Sequence, residues 1–183
     1  KNFKMRANLG KFSSILLYFL PAALISGPLI SDIILSVVAL IFIFLSARER
    51  LWKYYKNNFF YIFSAFYFYI LCRTLLSEDP SLALINSLFY FRFGIFSLAV
   101  WYLIDNNSDL IKRFFFVLSI TLFILIFDAF IQIIFGQSLF GMEMDSGMGW
   151  RYSGLFGDEA ILGSYLSKIL LLYFALMLFS NIR

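Results

Sequence analysis

From Arg151 to Leu166 the chain reads Arg-Tyr-Ser-Gly-Leu-Phe-Gly-Asp-Glu-Ala-Ile-Leu-Gly-Ser-Tyr-Leu, with an arginine, glycines and an acidic doublet set before an apolar run. Arginine stays charged at physiological pH and offers a planar fork of donors that fits a phosphate bidentately. Arg92 and Arg73 stand inside other apolar runs, and so do Asp128 and Lys168. Charge beside lipid is costly, so this set suits one kind of chemistry above others, the holding of a phosphate at a membrane surface. Asp158 and Glu159 form an adjacent acidic pair near Arg151 in sequence, where one of them could take a proton. Other chemistries find no residues to run on. Histidine is absent, which removes the commonest metal ligand and general base. There is no glycine-rich loop ending in Lys-Ser/Thr, no metal-ligand spacing and no nucleophile–base pair. No metal or cofactor is therefore expected.

The elements that must hold these residues are transmembrane helices. Charged residues make up 14% of the chain against about 25% in soluble domains, and 62% of it is hydrophobic. Its 25 phenylalanines need lipid as solvent. Apolar runs are continuous for about twenty residues, which fits helices and not the alternating strands of a barrel. The fold expected is all-α, a polytopic bundle of about six spans forming a single domain over residues 1–183. Cys72 is the lone cysteine and lies in an apolar run, so it reads as a buried, inert thiol. The net charge of +4 comes from basic residues dispersed at helix ends and does not mark a nucleic-acid binder. Because the chain opens at Lys1 and stops at Arg183 as a helix finishes, it reads as the N-terminal part of a longer protein.

The six spans run from about Ser13 to Gly27, Leu29 to Leu45, Phe59 to Leu76, Leu88 to Ile104, Phe114 to Phe135 and Ala160 to Phe179. Pro21 is expected to kink the first, and Asp79-Pro80 reads as an N-cap with proline at the first helical position. With the N-terminus inside, eleven basic residues fall on inner segments and only Arg151 on an outer loop, a decisive positive-inside bias. Both termini are then cytoplasmic and residues 136–158 form the outer loop. Trp52, Tyr54, Tyr55, Trp101 and Tyr102 mark the inner aromatic belt.

Arg73, Arg92, Asp128 and Lys168 all fall toward the outer halves of their spans, each costing about 2.5–3.5 kcal/mol if at a helix centre. Blander roles stand beside the chemical one. Arg73 and Arg92 could snorkel to headgroups, and Asp128 could pair with Lys168. Asp158 could cap the sixth span, with Glu159 favourable in its first turn. Ala160, Ser164 and Lys168 share a helical face whose small residues suit close packing, which would turn Lys168 inward. Gly154 and Gly157 are expected to turn the loop sharply back into the membrane. Gly136, Gly141, Gly147 and Gly149 would keep the rest of it irregular.

Arg151, Gly154 and Phe156 resemble the Arg-x-x-Gly-x-Phe stretch of bacterial O-antigen ligases and polymerases, and Phe89-Tyr-Phe-Arg-Phe-Gly-Ile-Phe96 resembles an arginine-bearing helix of those proteins. Where that family often has Pro-Asn, this chain has Glu159-Ala160. The resemblance implies a metal-independent glycosyltransferase of the bacterial inner (cytoplasmic) membrane. Such an enzyme moves a glycan from undecaprenyl pyrophosphate to a glycan or lipid A-core acceptor on the periplasmic side. Arg151 and then Arg92 would stabilise the departing pyrophosphate, Arg73 and Lys168 would help bind it, and Asp158 or Glu159 would serve as base. Residues 1–183 alone would bind donor without turning it over. The alternative is a transporter or flippase fragment for the same lipid-linked glycan; the apolar inner halves of the spans count against a through-path.

Overall fold

The computed structural model describes residues 2–77, 79–139, 141, 153–156 and 161–180 of the chain. They form α1 (Asn2–Ile25), α2 (Pro28–Glu49), α3 (Asn58–Leu75), α4 (Pro80–Leu88), α5 (Phe91–Asn106), α6 (Leu110–Phe135) and α7 (Leu162–Ser180), with no strand among the described residues. The all-α expectation holds. Met5–Ile25 of α1, all of α2 and all of α6 are long and apolar enough to cross a membrane, and α7 carries a shorter apolar stretch, Leu162–Leu178. The protein is by these helices a membrane protein. Among the described residues three helices meet that measure where about six spans were expected. Part of the shortfall is local: the expected fourth span from Leu88 is broken, because Phe89 and Tyr90 form a turn between α4 and α5. That leaves α5 16 residues long, a rise of about 24 Å against a hydrocarbon core of about 30 Å. Pro80 does open α4 in its first turn, but Asp79 before it makes no capping bond. α1 stays helical through Pro21.

The chain divides into two compact units, one of Lys1–Leu16 with Asp32–Ser108, the other of Leu17–Ser31 with Asp109–Arg183. In the first, α2 and α5 supply the core. Val38, Phe42 and Leu45 recur at helical spacing on α2, as do Leu98, Tyr102 and Leu103 on α5, and all are buried. The residues expected as an interfacial belt are in part that core. Phe42 lies 6.1 Å from the ring of Tyr54, 6.0 Å from Tyr55 and 5.7 Å from Tyr102, with Tyr54 and Tyr102 buried and Trp52 and Trp101 exposed.

Polar side chains tie helix ends around these rings. Arg6 donates to the Tyr102 hydroxyl at 3.1 Å and to Asn106 Oδ1 at 3.0 Å, and lies 3.2 Å from Glu49. Tyr54 donates to Asp105 at 3.0 Å, and burial raises its phenol above the ordinary range, which keeps it a donor. The start of α1 and the ends of α2 and α5 therefore meet at one end of the unit. α3 and α4 are joined by a hydrogen bond of 2.9 Å between the hydroxyls of Thr74 and Ser87.

α3 and α5 approach closely at Gly94. A Cβ there would overlap the ring of Phe63, so the packing as it stands leaves no room for a side chain. Gly94→Ala is expected to lower the unfolding temperature in detergent, by overpacking worth about 1–3 kcal/mol. Phe63→Leu added to it should recover part of the loss. An unchanged melting temperature for Gly94→Ala would show that the two helices do not meet there.

In the second unit α6 turns one face inward at Leu118, Thr121, Leu122, Leu125, Asp128 and Gln132, all buried. Its first turns meet the later part of α7, where Phe115 stacks on Tyr173 at 4.8 Å. At its other end Gly136, at φ 75°, closes the helix by donating its N–H to the Gln132 carbonyl at 2.9 Å. Early in α7, Tyr165 packs on Phe156 at 5.2 Å and donates to the Pro21 carbonyl at 3.0 Å. Two expectations are corrected in these packings. Cys72 is exposed on α3 instead of buried. Lys168 is exposed on α7, and so are Gly163, Ser164 and Ser167. The small-residue face of α7 packs against nothing among the described residues that would bury it.

Candidate functional site

Arg92 is the second residue of α5 and reaches back to the start of α2. One terminal nitrogen of its guanidinium donates to Asp32 Oδ2 at 2.7 Å, with the two side chains 27% and 48% exposed. This pair sits at the end of the first unit opposite Arg6 and Glu49, since it joins the start of α2 to the start of α5. The guanidinium also lies 5.3 Å from the Phe93 ring, and its Nε is buried with no hydrogen-bond partner among the described residues. Arg92 is thus oriented and partly neutralised, while keeping donors uncommitted. A pair this open to its surroundings contributes at most about 1 kcal/mol to stability where water screens it.

Asp32 has the clearest structural effect on any of the proposed ligands, and sequence reasoning missed it. The signal was present: an acid within the apolar run from Leu29 to Leu45, opposite in sign to Arg92. Only the fold brings the two together across 60 positions of chain.

Arg73 lies in the last turn of α3, exposed and without an ion pair among the described residues, which suits a side chain reaching for headgroups. Lys168 also makes no ion pair among them. It does not pair with Asp128, because Asp128 is fully buried and spends one oxygen elsewhere. Arg151, Asp158 and Glu159 lie outside the described residues, as do Gly147, Gly149 and Gly157. Gly154 and Phe156 of the same stretch are described and form a 3-10 turn.

That turn is held from α6. Gln132 Oε1 accepts the Gly154 N–H at 2.8 Å, and its Nε2 donates to the Ser153 hydroxyl at 3.4 Å. One helical turn earlier, Asp128 Oδ1 accepts the Leu139 N–H at 2.7 Å. Asp128 and Gln132 have no solvent exposure. Gly154 has φ 56°, and a Cβ on it would stand 3.2 Å from Asp128 Oδ2. The left-handed backbone there favours glycine, and a Cβ would press tightly on the Asp128 carboxylate. The sharp turn expected at Gly154 is present, and Gly141 likewise has a positive φ of 75°.

Gln132 is the second residue that sequence reasoning passed over. It lies four positions after Asp128, on the face that Leu118, Leu122 and Leu125 bury. Among the described residues no three His, Cys, Asp or Glu side chains are grouped to hold a metal ion. Compared with protein-family models, curated proteins and solved structures, the chain finds no match.

Proposed function

We propose that this protein is a glycosyltransferase of the bacterial inner membrane, acting on the periplasmic side as an O-antigen ligase or polymerase. The donor is a glycan on undecaprenyl pyrophosphate and the acceptor a sugar hydroxyl of a second glycan or of lipid A-core. The observation that supports this best is Arg92, a guanidinium held by one bond to Asp32 at the end of its unit away from Arg6 and Lys53. In the transfer, the acceptor oxygen bonds to the anomeric carbon as the bond from that carbon to the pyrophosphate oxygen breaks. The hydroxyl proton passes to Asp158 or Glu159. The pyrophosphate leaves with the bonding electrons, and Arg151 and Arg92 offset its growing negative charge, with Arg73 and Lys168 as lesser contacts. Glycan transfer of this kind asks the protein for positioning and charge stabilisation, which arginines supply.

The test is deletion of the gene in its native bacterium. Surface glycan should be lost or shortened, and the lipid-linked glycan should accumulate on the periplasmic face, where an impermeant glycosidase can reach it. Accumulation on the cytoplasmic face would overturn the transferase and favour a flippase for the same lipid. Unchanged surface glycan would remove both.

A further inference from the structure

We propose that Tyr67 is a positioning residue, which holds the helix broken between α4 and α5 and so keeps Arg92 open at the head of α5. The hydrogen bonds of the break carry the inference. In a continuous helix the N–H of Arg92 would donate to the carbonyl four residues back, that of Leu88. Here it donates three residues back, to Phe89 at 3.3 Å, and the hydroxyl of Tyr67 on α3 donates to the Leu88 carbonyl at 3.0 Å. Tyr90 and Phe93 shift in the same way, donating to the carbonyls of Ser87 at 3.1 Å and Tyr90 at 3.2 Å. A side chain inserted into the ladder of helix bonds is a known cause of a sharp kink, and no proline or glycine stands between Leu88 and Phe93 to cause this one.

Tyr67 and the Arg92 N–H are alternative partners of one carbonyl, so the broken and the continuous helix differ by an exchange of hydrogen bonds. α3 also holds α4 through the Thr74–Ser87 bond at 2.9 Å, and the Tyr90 ring lies 6.4 Å from Phe66 of α3. α5 is fixed by its buried Leu98, Tyr102 and Leu103, so α4 is the part that would move if the ladder closed. A helical side chain lies over the turn before its own Cα. Closure would therefore bring Leu88 back over Arg92, whereas the break leaves that side chain 27% exposed beside Asp32. The consequence for lipid binding rests on the reading of Arg92 as a pyrophosphate ligand; the exchange of bonds does not.

The experiment uses the protein in nanodiscs containing undecaprenyl pyrophosphate, with spin labels on Leu82→Cys of α4 and Ser97→Cys of α5 in a Cys72→Ser background. Leu82 and Ser97 are both exposed. Three quantities are read: the distance between the labels, the affinity for the lipid and the unfolding temperature. Tyr67→Phe keeps the ring and removes the hydroxyl. A second label distance should then appear beside the wild-type one. Lipid affinity should fall about three- to tenfold, as one lost hydrogen bond shifts the population toward the closed ladder. The unfolding temperature should stay close to wild type, because Leu88 regains the Arg92 N–H. A tyrosine serving stability alone would show the opposite, a lower unfolding temperature with one label distance and the affinity kept.

Tyr67→Phe with Phe91→Pro is the rescue. Phe91 is the first residue of α5, where proline suits a helix start and cannot join a continuous ladder, so it supplies the break without the hydroxyl. The single wild-type distance and the affinity should both return. If that variant fails to fold, Tyr67→Phe alone decides. The wild-type distance alone in Tyr67→Phe would overturn the latch, and a restored distance without restored affinity would overturn its positioning of Arg92. Arg92→Ala separates the two ideas. Wild-type affinity in Arg92→Ala would sink the pyrophosphate role of that arginine, while the label distances still judge Tyr67.

Discussion

Arg151→Ala is expected to weaken binding of undecaprenyl pyrophosphate by about ten- to a hundredfold, because a charge-assisted hydrogen bond contributes about 1.5–3 kcal/mol. In cells the same change should abolish glycan attachment or extension while the protein stays at normal abundance. Abundance is the needed control, since a folding defect would also remove surface glycan. Arg151→Lys is the sharper variant. Lysine keeps the charge but loses the planar fork, so it should recover little if the pyrophosphate is gripped bidentately. Full recovery by lysine would mean that a point charge suffices, and the proposed grip would have to be abandoned. Normal glycan and normal affinity in Arg151→Ala would leave the arginine a role in topology alone. Asp158→Asn and Glu159→Gln follow from the same reading. Whichever residue takes the acceptor proton should lose transfer and keep donor binding.

Much of the fold could be read from the sequence because lipid is a demanding solvent. Apolar runs around residues 29–45 and 114–135 had one viable structure, and they became α2 and α6. What could not be read was facing. Composition assigns Cys72 and Lys168 to apolar helices but not to a side of them, and both prove exposed. The break at Phe89 and Tyr90 was hidden for a similar reason. No glycine or proline marks it, so an aromatic run read as helix continued into α5.

The site divides along the same line. Unusual charges could be found in the sequence, but their partners could not, because partner choice depends on tertiary approach. Asp128 was identified and given the wrong companion. Its depth and sign suggested Lys168, whereas the fold brought it the backbone N–H of Leu139. Gln132, uncharged, gave no signal until the inward face of α6 was known.

The bond between Arg92 and Asp32 makes a prediction whose sign is informative. In the proposed site Asp32 competes with phosphate for the guanidinium, occupying one of its terminal nitrogens at 2.7 Å. Asp32→Asn removes a negative charge from beside the ligand and releases that nitrogen. Affinity for undecaprenyl pyrophosphate should therefore rise, by about three- to tenfold for a like-charge contact removed at about 3–6 Å where water screens it at a dielectric of about 80. Arg92→Ala should lower it about tenfold through the lost charge-assisted bond. The double variant should bind better than Arg92→Ala and worse than Asp32→Asn, because the removed charge acts on the ligand directly while the arginine's bond is lost.

Stability can be set aside as the cause. The half-exposed pair contributes at most about 1 kcal/mol, which in a chain of this size moves the unfolding temperature by only about 2–4 °C. A tenfold change in binding measured well below that temperature cannot come from loss of fold. If Asp32→Asn instead weakens binding as much as Arg92→Ala does, Asp32 orients the arginine and does not compete with the ligand. If neither variant moves the affinity, the pair is an internal neutralisation of a charge beside lipid. Arg92 would then leave the proposed site, and recognition of the pyrophosphate would fall to Arg151.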